Sequence, residues 1–409
     1  MHAAPDAPAG VTATPPPTGA AGAAARLDAV DLLRGLVMVL MLLDHTRDYF
    51  HFGAQHGVDP LDLAHPNVPL FFTRWITHYC APTFVLLAGA GAFLSGSRGK
   101  SRRELSWFLV TRGLWLVLLE MTYVQWAGWD FAVNLHSHYA LVIWALGWSM
   151  VGLAALVHLP LWAVTAFGVT MIAGHNAFDA VKPDALGAFG PAWRLLHAGG
   201  PVEIARGHTL AVGYPLIPWI GVMAAGFGLG AMLVRPAVER RRTLWILGVT
   251  LTLGFLALRF GNFYGDPRPW TLQASGLFTA LSFLDCQKYP PSLCYLLMTI
   301  GPALLLLAWC DGPLPRLLKP IVVFGRVPMF FYLLHIPLVH GLAVVVNLAR
   351  FGRADWLYGV HPGPTPASVG FGLGGTYLAW LAVLVVLYPA CRWFADLKRR
   401  RRDVWLSYL

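Results

Sequence analysis

The chain has 409 residues and a net charge of +10, and it is 57% hydrophobic but only 12% charged. Soluble domains carry about 25% charged residues, so the composition excludes a soluble globular protein and indicates an integral membrane protein. The basic residues lie in short loops and at the C-terminus, which argues against a nucleic-acid partner. The five cysteines show no CxxC spacing, and we expect neither a disulfide framework nor a bound metal.

The N-terminal residues 1–25 are rich in alanine, proline and glycine. They lack a basic segment followed by an apolar core, so we expect a disordered cytoplasmic tail and not a signal peptide. Residues 26–395 are expected to form one transmembrane domain. Residues 396–409 are expected to form a basic cytoplasmic tail.

The first hydrophobic segment, 27–48, is apolar enough to cross a bilayer, yet it carries Asp31, Arg34, Asp44 and His45. Charges inside a span are costly and usually face a partner, a cavity or a functional site. At about 100° and 1.5 Å per residue, Arg34 and His45 share one helix face and lie roughly 16 Å apart. Met38 and Met41 lie on the same face. The pattern predicts the lining of a path across the membrane.

Hydropathy and segment length predict an all-α bundle of about ten transmembrane helices. The nine that follow the first lie near 69–95, 106–127, 138–157, 159–173, 210–233, 243–260, 291–310, 321–347 and 371–392. The apolar stretch 271–284 could form a further re-entrant segment.

Four groups of basic residues fall on one side of this predicted bundle: loops 96–105, 234–242 and 311–320, and the C-terminal segment 398–402. The positive-inside rule makes this side cytoplasmic and predicts that both termini are inside. Several of the basic residues could contact either anionic lipid or the phosphates of a donor such as coenzyme A: Lys100, Arg102, Arg103 and Arg326.

Polar residues inside the other predicted spans have two interpretations each. Arg74 and His78 are four positions apart and share a helix face near the outer end. Glu120 lies deep in the third span, where it is either a structural ion-pair partner or a catalytic or positioning carboxylate. Tyr332 precedes His335 by three positions, so the two could form a hydrogen-bonded unit, or His335 could be an ordinary core histidine.

Two stretches rich in small residues, 88–96 and 224–231, predict close packing of helices. In the first stretch Ala88, Ala92 and Gly96 lie on one face. Small side chains at this spacing allow the backbones of two helices to approach each other.

Five segments of the sequence are similar to those of a known family: LDAVDLLRGLVMVLMLLDHTRDYF, FFTRWITHYCAPTFVLLAGAGAFLSG, YPLIPWIGVM, KYPPSLCYLLMTIGP and FGRVPMFFYLLHIPL. They resemble the bacterial branch of the heparan-alpha-glucosaminide N-acetyltransferase catalytic-domain family, over most of residues 26–409. The spacing of Arg34, ten residues and then His45 also resembles the first helix of the membrane acyltransferase-3 superfamily. The family's active-site histidine precedes its second span, where His65 and His78 are the nearest candidates here.

The resemblance implies a membrane-embedded acyltransferase that takes an acetyl group from cytosolic acetyl-coenzyme A to an amino sugar or glycan across the membrane. It implies a bacterial plasma-membrane protein with the lipid bilayer, acyl-coenzyme A and a glycan acceptor as partners; a homo-oligomer is left open. The alternative is a transporter for a small polar solute, whose conduit the same intramembrane polar residues would line.

Under the acyltransferase hypothesis, His45 or His78 is the general base, because an imidazole exchanges protons near neutral pH. Asp44 and Glu120 are the other catalytic candidates, with Asp44 expected to orient a histidine other than His45. The candidates for donor or substrate binding are Arg34, Arg74, Tyr332 and His335.

Overall fold

The computed structural model describes residues 27–359, 363–401 and 403–408. The tail predicted for residues 1–25 lies outside these ranges, as does Arg402 of the basic C-terminal segment. The described chain is nearly all helical. The last helix continues through Arg400, so the basic residues near the C-terminus begin inside that helix.

The α-helices in chain order are α1 (Asp28–Phe50), α2 (Phe52–Gln55), α3 (Val68–Trp75), α4 (Cys80–Gly96), α5 (Arg102–Leu119), α6 (Val142–Leu156), α7 (Leu161–Gly174), α8 (Gly190–Trp193), α9 (Leu216–Leu233), α10 (Ala237–Gly261), α11 (Gly276–Leu284), α12 (Leu293–Trp309), α13 (Lys319–Arg326), α14 (Pro328–Phe351) and α15 (Leu373–Arg400). A 3-10 turn, Ile76–Tyr79, joins α3 to α4, and a π-helical segment, Glu120–Trp129, continues α5.

Seven helical segments of the described residues are long and apolar enough to cross a membrane: Val68–Gly96, Arg102–Trp129, Leu161–Phe178, Leu216–Leu233, Ala237–Gly261, Pro328–Phe351 and Leu373–Arg400. These segments make the chain an integral membrane protein. The charged helix α1 and the shorter apolar helices α6 and α12 do not meet the same criterion, so the count of ten stays a prediction. The apolar stretch 271–284 contains the short helix α11, of nine residues.

A small sheet is the exception to the all-α expectation. Its strands are β1 (Ser137–Ala140), β2 (Gly200–Ala205) and β3 (His208–Val212), in the order β1-β3-β2. Strand β1 runs parallel to β3, and β2 runs antiparallel to it. The predicted spans 138–157 and 210–233 therefore began too early, because short apolar strands add the same hydropathy as the helices α6 and α9 that follow them.

Helix α1 is in the centre of the bundle and packs against α4, α13, α14 and α15. Its closest approach is to α13, where the backbones touch. A Cβ atom at Gly325 would overlap the carbonyl of Asp31, and one at Gly35 would overlap the carbonyl of Ile321. Glycine at these two positions brings α1 and α13 close together.

The packing predicted from small residues occurs between α4 and α9. It relies on Gly89, which lies against the carbonyl of Met223, and on Gly226, which lies against the carbonyl of Leu86. The face of α4 that packs against α9 is not the predicted one. Ala88 and Ala92, on the predicted face, line a cavity instead. The small-residue stretch of α4 therefore serves one helix contact and one open space.

The basic groups predicted to share a side meet at one end of the bundle, called here the basic end. Arg98 and Arg240 line a cavity there together with Arg34, and Arg34 lines a second cavity together with Lys398. Arg240 also pairs with Asp311, at 2.7 Å, which brings in the remaining basic loop. Which side of the membrane this end faces stays a prediction.

Candidate active site

A cavity of about 320 Å³ opens at the basic end, and we call it the basic-end cavity. Four basic side chains line it: Arg34, Arg112, Arg326 and Lys398. Arg34 is held in place by a hydrogen bond to the carbonyl of Leu87, at 3.0 Å, and lies 3.7 Å from Asp31. The concentration of positive charge at one opening suits a ligand that carries several negative charges.

The inner part of the basic-end cavity is apolar and is lined by residues that include Met38, Met41 and Tyr332. Arg34, Met38 and Met41 line one cavity, as expected from their shared face on α1. Along α1 the lining extends from Arg34 to Met41, about 10 Å toward the opposite end. The cavity therefore changes from a charged opening to an apolar floor.

Two histidines lie about one helical turn beyond this floor, His45 after Met41 on α1 and His335 after Tyr332 on α14. Their ring centroids are 5.2 Å apart. Neither histidine would be recognised as the partner of the other from sequence, because the pair depends on the packing of α1 against α14. The structure thus brings together one predicted base and one predicted binding residue.

His335 is fully buried, and its ring nitrogens differ. Nδ1 lies 2.6 Å from the backbone carbonyl of Tyr332, while Nε2 has no hydrogen-bond partner among the described residues. A carbonyl only accepts, so Nδ1 carries the proton and Nε2 presents its lone pair in the neutral ring. Tyr332 and His335 are thus hydrogen-bonded through the backbone carbonyl of Tyr332, and their ring centroids lie 5.2 Å apart.

His45 lies between aromatic and acidic neighbours. Its ring packs edge-on against Trp129, with centroids 4.9 Å apart. Its Nδ1 atom lies 3.6 Å from Oδ2 of Asp48, one turn further along α1. His45 thus lies between an indole ring and a carboxylate.

Asp44, next to His45 in sequence, belongs to a different cluster. It accepts a hydrogen bond from Arg74 and lies 3.3 Å from Arg47 and 4.0 Å from Lys288. Its partners among the described residues are thus cations, whereas we had expected Asp44 to orient a histidine. Arg74, a candidate for donor or substrate binding, lies near the end of the bundle opposite to the basic end, as its predicted outer position implies.

His78 lines a second cavity, of about 350 Å³, which we call the opposite-end cavity. The side chain is 1% exposed, and neither ring nitrogen has a hydrogen-bond partner among the described residues. A smaller neighbouring cavity of about 250 Å³ shares Arg47, Asp59 and Pro60 with it and is also lined by Asp48. His65, the other histidine considered, is an exposed side chain paired with Asp62.

The Glu120 carboxylate is hydrogen-bonded to the backbone at the start of α6. Its Oε2 atom accepts hydrogen bonds from the backbone N–H groups of Ile143 and Trp144, at 3.0 and 3.1 Å. These groups belong to the first turn of α6, whose N–H groups have no partners within the helix. Glu120 thus caps α6 from the neighbouring segment, whereas a structural ion pair with an arginine was one of its two predicted roles.

Sequence reasoning missed Trp129, which packs against His45, and several residues that line these cavities: Asp48, Arg112, Lys288 and Lys398. Asp48 was detectable, since it follows His45 by three positions on one helix. Lys288 lies in a loop without periodicity, and its position depends on tertiary packing alone. Within the described part of the chain, no group of three or more His, Cys, Asp or Glu residues could hold a metal ion.

Seven apolar helical segments, a central charged helix and histidines beyond the floor of a basic cavity define a polytopic membrane protein with an intramembrane polar site. Residues 26–260 match the family described as heparan-alpha-glucosaminide N-acetyltransferase, catalytic. The match covers more than half of the chain, which therefore belongs to this family, and the resemblance is confirmed. No significant match to a curated protein was found.

Family membership implies a membrane acetyltransferase, and acetyl-coenzyme A is the donor that the family uses. The matched region contains α1 to α9 and nearly all of α10, and it includes Arg34, His45, His78 and Glu120. Tyr332 and His335 lie beyond it. The candidate site thus combines residues from inside and outside the matched region.

Proposed function

We propose that this protein transfers an acetyl group from cytosolic acetyl-coenzyme A to an amine or hydroxyl of a sugar or glycan on the extracytoplasmic side. The observation that carries the proposal is the position of His45 and His335, about one turn beyond the apolar floor of a basic cavity. The charged opening suits the phosphates of an acyl-coenzyme A, and the apolar channel suits the arm that carries the thioester. The base then lies where the thioester would be.

The donor would occupy the basic-end cavity. The phosphates of coenzyme A would contact basic side chains near the opening, among them Arg112, Arg326 and Lys398. The thioester arm would extend past Met38 toward Met41. Arg34, held by Leu87 and close to Asp31, would add positive charge along the same wall.

His45 would act as the general base. As the amine nitrogen of the acceptor forms its bond to the thioester carbon, His45 takes a proton from that nitrogen. The carbon–sulfur bond breaks, coenzyme A leaves as a thiolate, and the proton passes from the imidazolium to the thiolate or to solvent. Asp48, 3.6 Å from Nδ1, would stabilise the imidazolium, and the Nε2 lone pair of His335 would accept a hydrogen bond nearby.

The acceptor would approach from the opposite end. Asp48 lines the smaller cavity beside the opposite-end cavity and also lies beside His45. The smaller cavity is therefore close to the proposed base. A sugar bound there would reach the histidine pair from the side opposite to the donor. This arrangement supports transfer across the membrane better than transfer within one compartment.

The proposal is tested on full-length protein in detergent with radiolabelled acetyl-coenzyme A and a panel of amino sugars and neutral glycans. We expect label transfer to at least one amine-bearing sugar and stoichiometric release of coenzyme A. Saturable donor binding should compete with unlabelled coenzyme A. Absence of both donor binding and turnover with every acceptor would contradict the proposal.

Sidedness is tested in proteoliposomes whose protein orientation is fixed by protease mapping of the C-terminal segment. We expect transfer only when acetyl-coenzyme A and the acceptor are on opposite sides, with the donor facing the basic end. The family match supports an acetyltransferase, and no described feature favours the alternative of a solute transporter. Uptake of free sugar without donor turnover would favour that alternative.

A further inference from the structure

The opposite-end cavity carries more positive charge on its lining than the proposed chemistry requires. Its lining contains four cations, Arg47, Arg74, Arg268 and Lys288, and a single carboxylate, Asp59. The carboxylates that pair with these cations belong to residues outside the lining: Asp44, Asp48 and Asp285. The lining of this cavity therefore carries more positive than negative charge.

Lys288 shows the imbalance most clearly. Its side chain is buried, and its one ion pair among the described residues joins Nζ to Oδ2 of Asp44 at 4.0 Å. That carboxylate already accepts a hydrogen bond from Arg74 and lies 3.3 Å from Arg47. A buried ammonium group needs a close counter-charge, and one carboxylate shared among three cations supplies only part of it.

Two other buried side chains on this lining have polar atoms without partners. Arg47 is 6% exposed, and its Nε and Nη1 atoms have no hydrogen-bond partner among the described residues. Neither ring nitrogen of His78 has a hydrogen-bond partner among the described residues. Buried donors are almost always satisfied in folded proteins, so these groups indicate a ligand that accepts hydrogen bonds.

The same positive charge affects Tyr289, in the loop that follows α11. Although burial alone would raise it, the pKa of Tyr289 lies below its ordinary value because Lys288 and Arg74 are close by. The phenol ring also lies 5.2 Å from the Lys288 ammonium. The positive field thus extends over the loop that forms one wall of the cavity.

We propose that the opposite-end cavity binds an anionic group, a carboxylate, sulfate or phosphate, through Lys288, Arg47 and Arg268, and that the acceptor carries this group. Anion binding follows from the cavity itself; its assignment to the acceptor depends on the proposed function. Arg47 and Asp59 line both this cavity and the smaller one beside Asp48. One molecule could therefore place its anionic group on Lys288 and its reacting group toward His45.

The first test measures binding of inorganic phosphate and of glucuronate to full-length protein in detergent by calorimetry, with glucose as the neutral comparison. We expect Lys288→Gln to weaken binding of both anions at least about tenfold, since removal of a buried charge partner usually costs that much or more. Lys288→Arg should retain most of the affinity. Lys182→Gln, an exposed lysine elsewhere on the chain, should bind like wild type.

Anions could also bind at the basic end, so Arg112→Gln serves to separate the two cavities. Binding that persists in Arg112→Gln and is lost in Lys288→Gln supports the proposal, and the reverse pattern overturns it. If Lys288→Gln does not fold, Arg268→Gln replaces it, because that side chain is 49% exposed. Unchanged anion affinity in the folded variants would also overturn the proposal.

The second test asks whether the anion belongs to the acceptor. Transfer rates are compared for an amino sugar that carries a carboxylate or phosphate and for its neutral counterpart. We expect a preference of at least about tenfold for the anionic sugar that disappears in Lys288→Gln. Equal use of both sugars by wild type would overturn this assignment and leave a site for free anions. Failure of every acceptor would instead contradict the proposed function, while the calorimetry still reports on the cavity.

Discussion

The imidazole rings of His45 and His335 have their centroids 5.2 Å apart, with His45 on α1 and His335 on α14. The pair lies beyond the inner end of the basic-end cavity. Asp48 is beside the ring of His45, and Nε2 of His335 has no hydrogen-bond partner in the described part of the chain. Under the proposed function, a donor from the basic end and an acceptor from the opposite end would meet at this contact.

Removal of the Glu120 carboxylate should destabilise the protein without removing its chemistry. Glu120→Ala leaves two N–H groups of α6 without their acceptor, at a cost of about 1–3 kcal/mol. Glu120→Gln keeps a carbonyl oxygen and should lose less. The measurement is thermal unfolding in detergent together with transfer activity per folded molecule. A wild-type melting temperature with abolished activity would instead identify Glu120 as a catalytic residue.

The basic end should determine the affinity for the donor. Arg112→Gln and Lys398→Gln each remove a cation from the basic-end cavity, so we expect KM for acetyl-coenzyme A to rise about tenfold with kcat largely retained. Steady-state kinetics with varied donor concentration measure both constants. Arg353→Gln, an exposed arginine paired with Asp355, is the matched control and should leave KM unchanged. A loss confined to kcat would contradict donor binding here.

The backbone contact between α1 and α13 should not tolerate a methyl group. Gly325→Ala places a Cβ atom against the carbonyl of Asp31, which forces the helices apart and should cost about 1–3 kcal/mol or more. Gly374→Ala in α15 meets open space and is the control. Thermal unfolding of the two variants makes the comparison. Equal melting temperatures would show that the two helices are not in close contact.

The buried ion cluster around Asp44 should be important for stability. Asp44→Asn leaves the charges of Arg74, Arg47 and Lys288 without their shared carboxylate, and we expect a loss of about 3–5 kcal/mol. Addition of Arg74→Met should recover part of this loss, as a double-mutant cycle will show. Asp396→Asn removes the carboxylate of an exposed pair and should change stability little. Additive effects of the two buried substitutions would contradict the pairing.

The helices could be predicted from sequence because long apolar runs depend on local composition alone. The segment predicted at 243–260 lies within α10, Ala237–Gly261, and the shared face of Arg34, Met38 and Met41 followed from helical periodicity. The sheet could not be predicted in this way. Its strands β1 and β3 are short and directly precede α6 and α9, so their hydropathy merges with that of the helices.

The contacts of the site depend on packing between distant segments, which no local pattern reveals. His335 reaches His45 only because α14 packs against α1, and Lys288 reaches Asp44 from a loop. The sequence identified His45 and His78 as candidate bases but could not separate them. In the structure they differ, since His45 lies about one turn beyond the floor of the basic-end cavity and His78 lines the opposite-end cavity.

The most direct test of the account compares His45→Ala with His78→Ala in purified, folded protein. The measurements are donor affinity by calorimetry and transfer of radiolabelled acetyl groups at varied acceptor concentration. We expect His45→Ala to bind acetyl-coenzyme A like wild type and to lose transfer by about 100-fold or more, as removal of a general base does. His78→Ala should mainly raise KM for the acceptor. Full transfer activity in His45→Ala, with a loss of kcat in His78→Ala, would contradict the central claim.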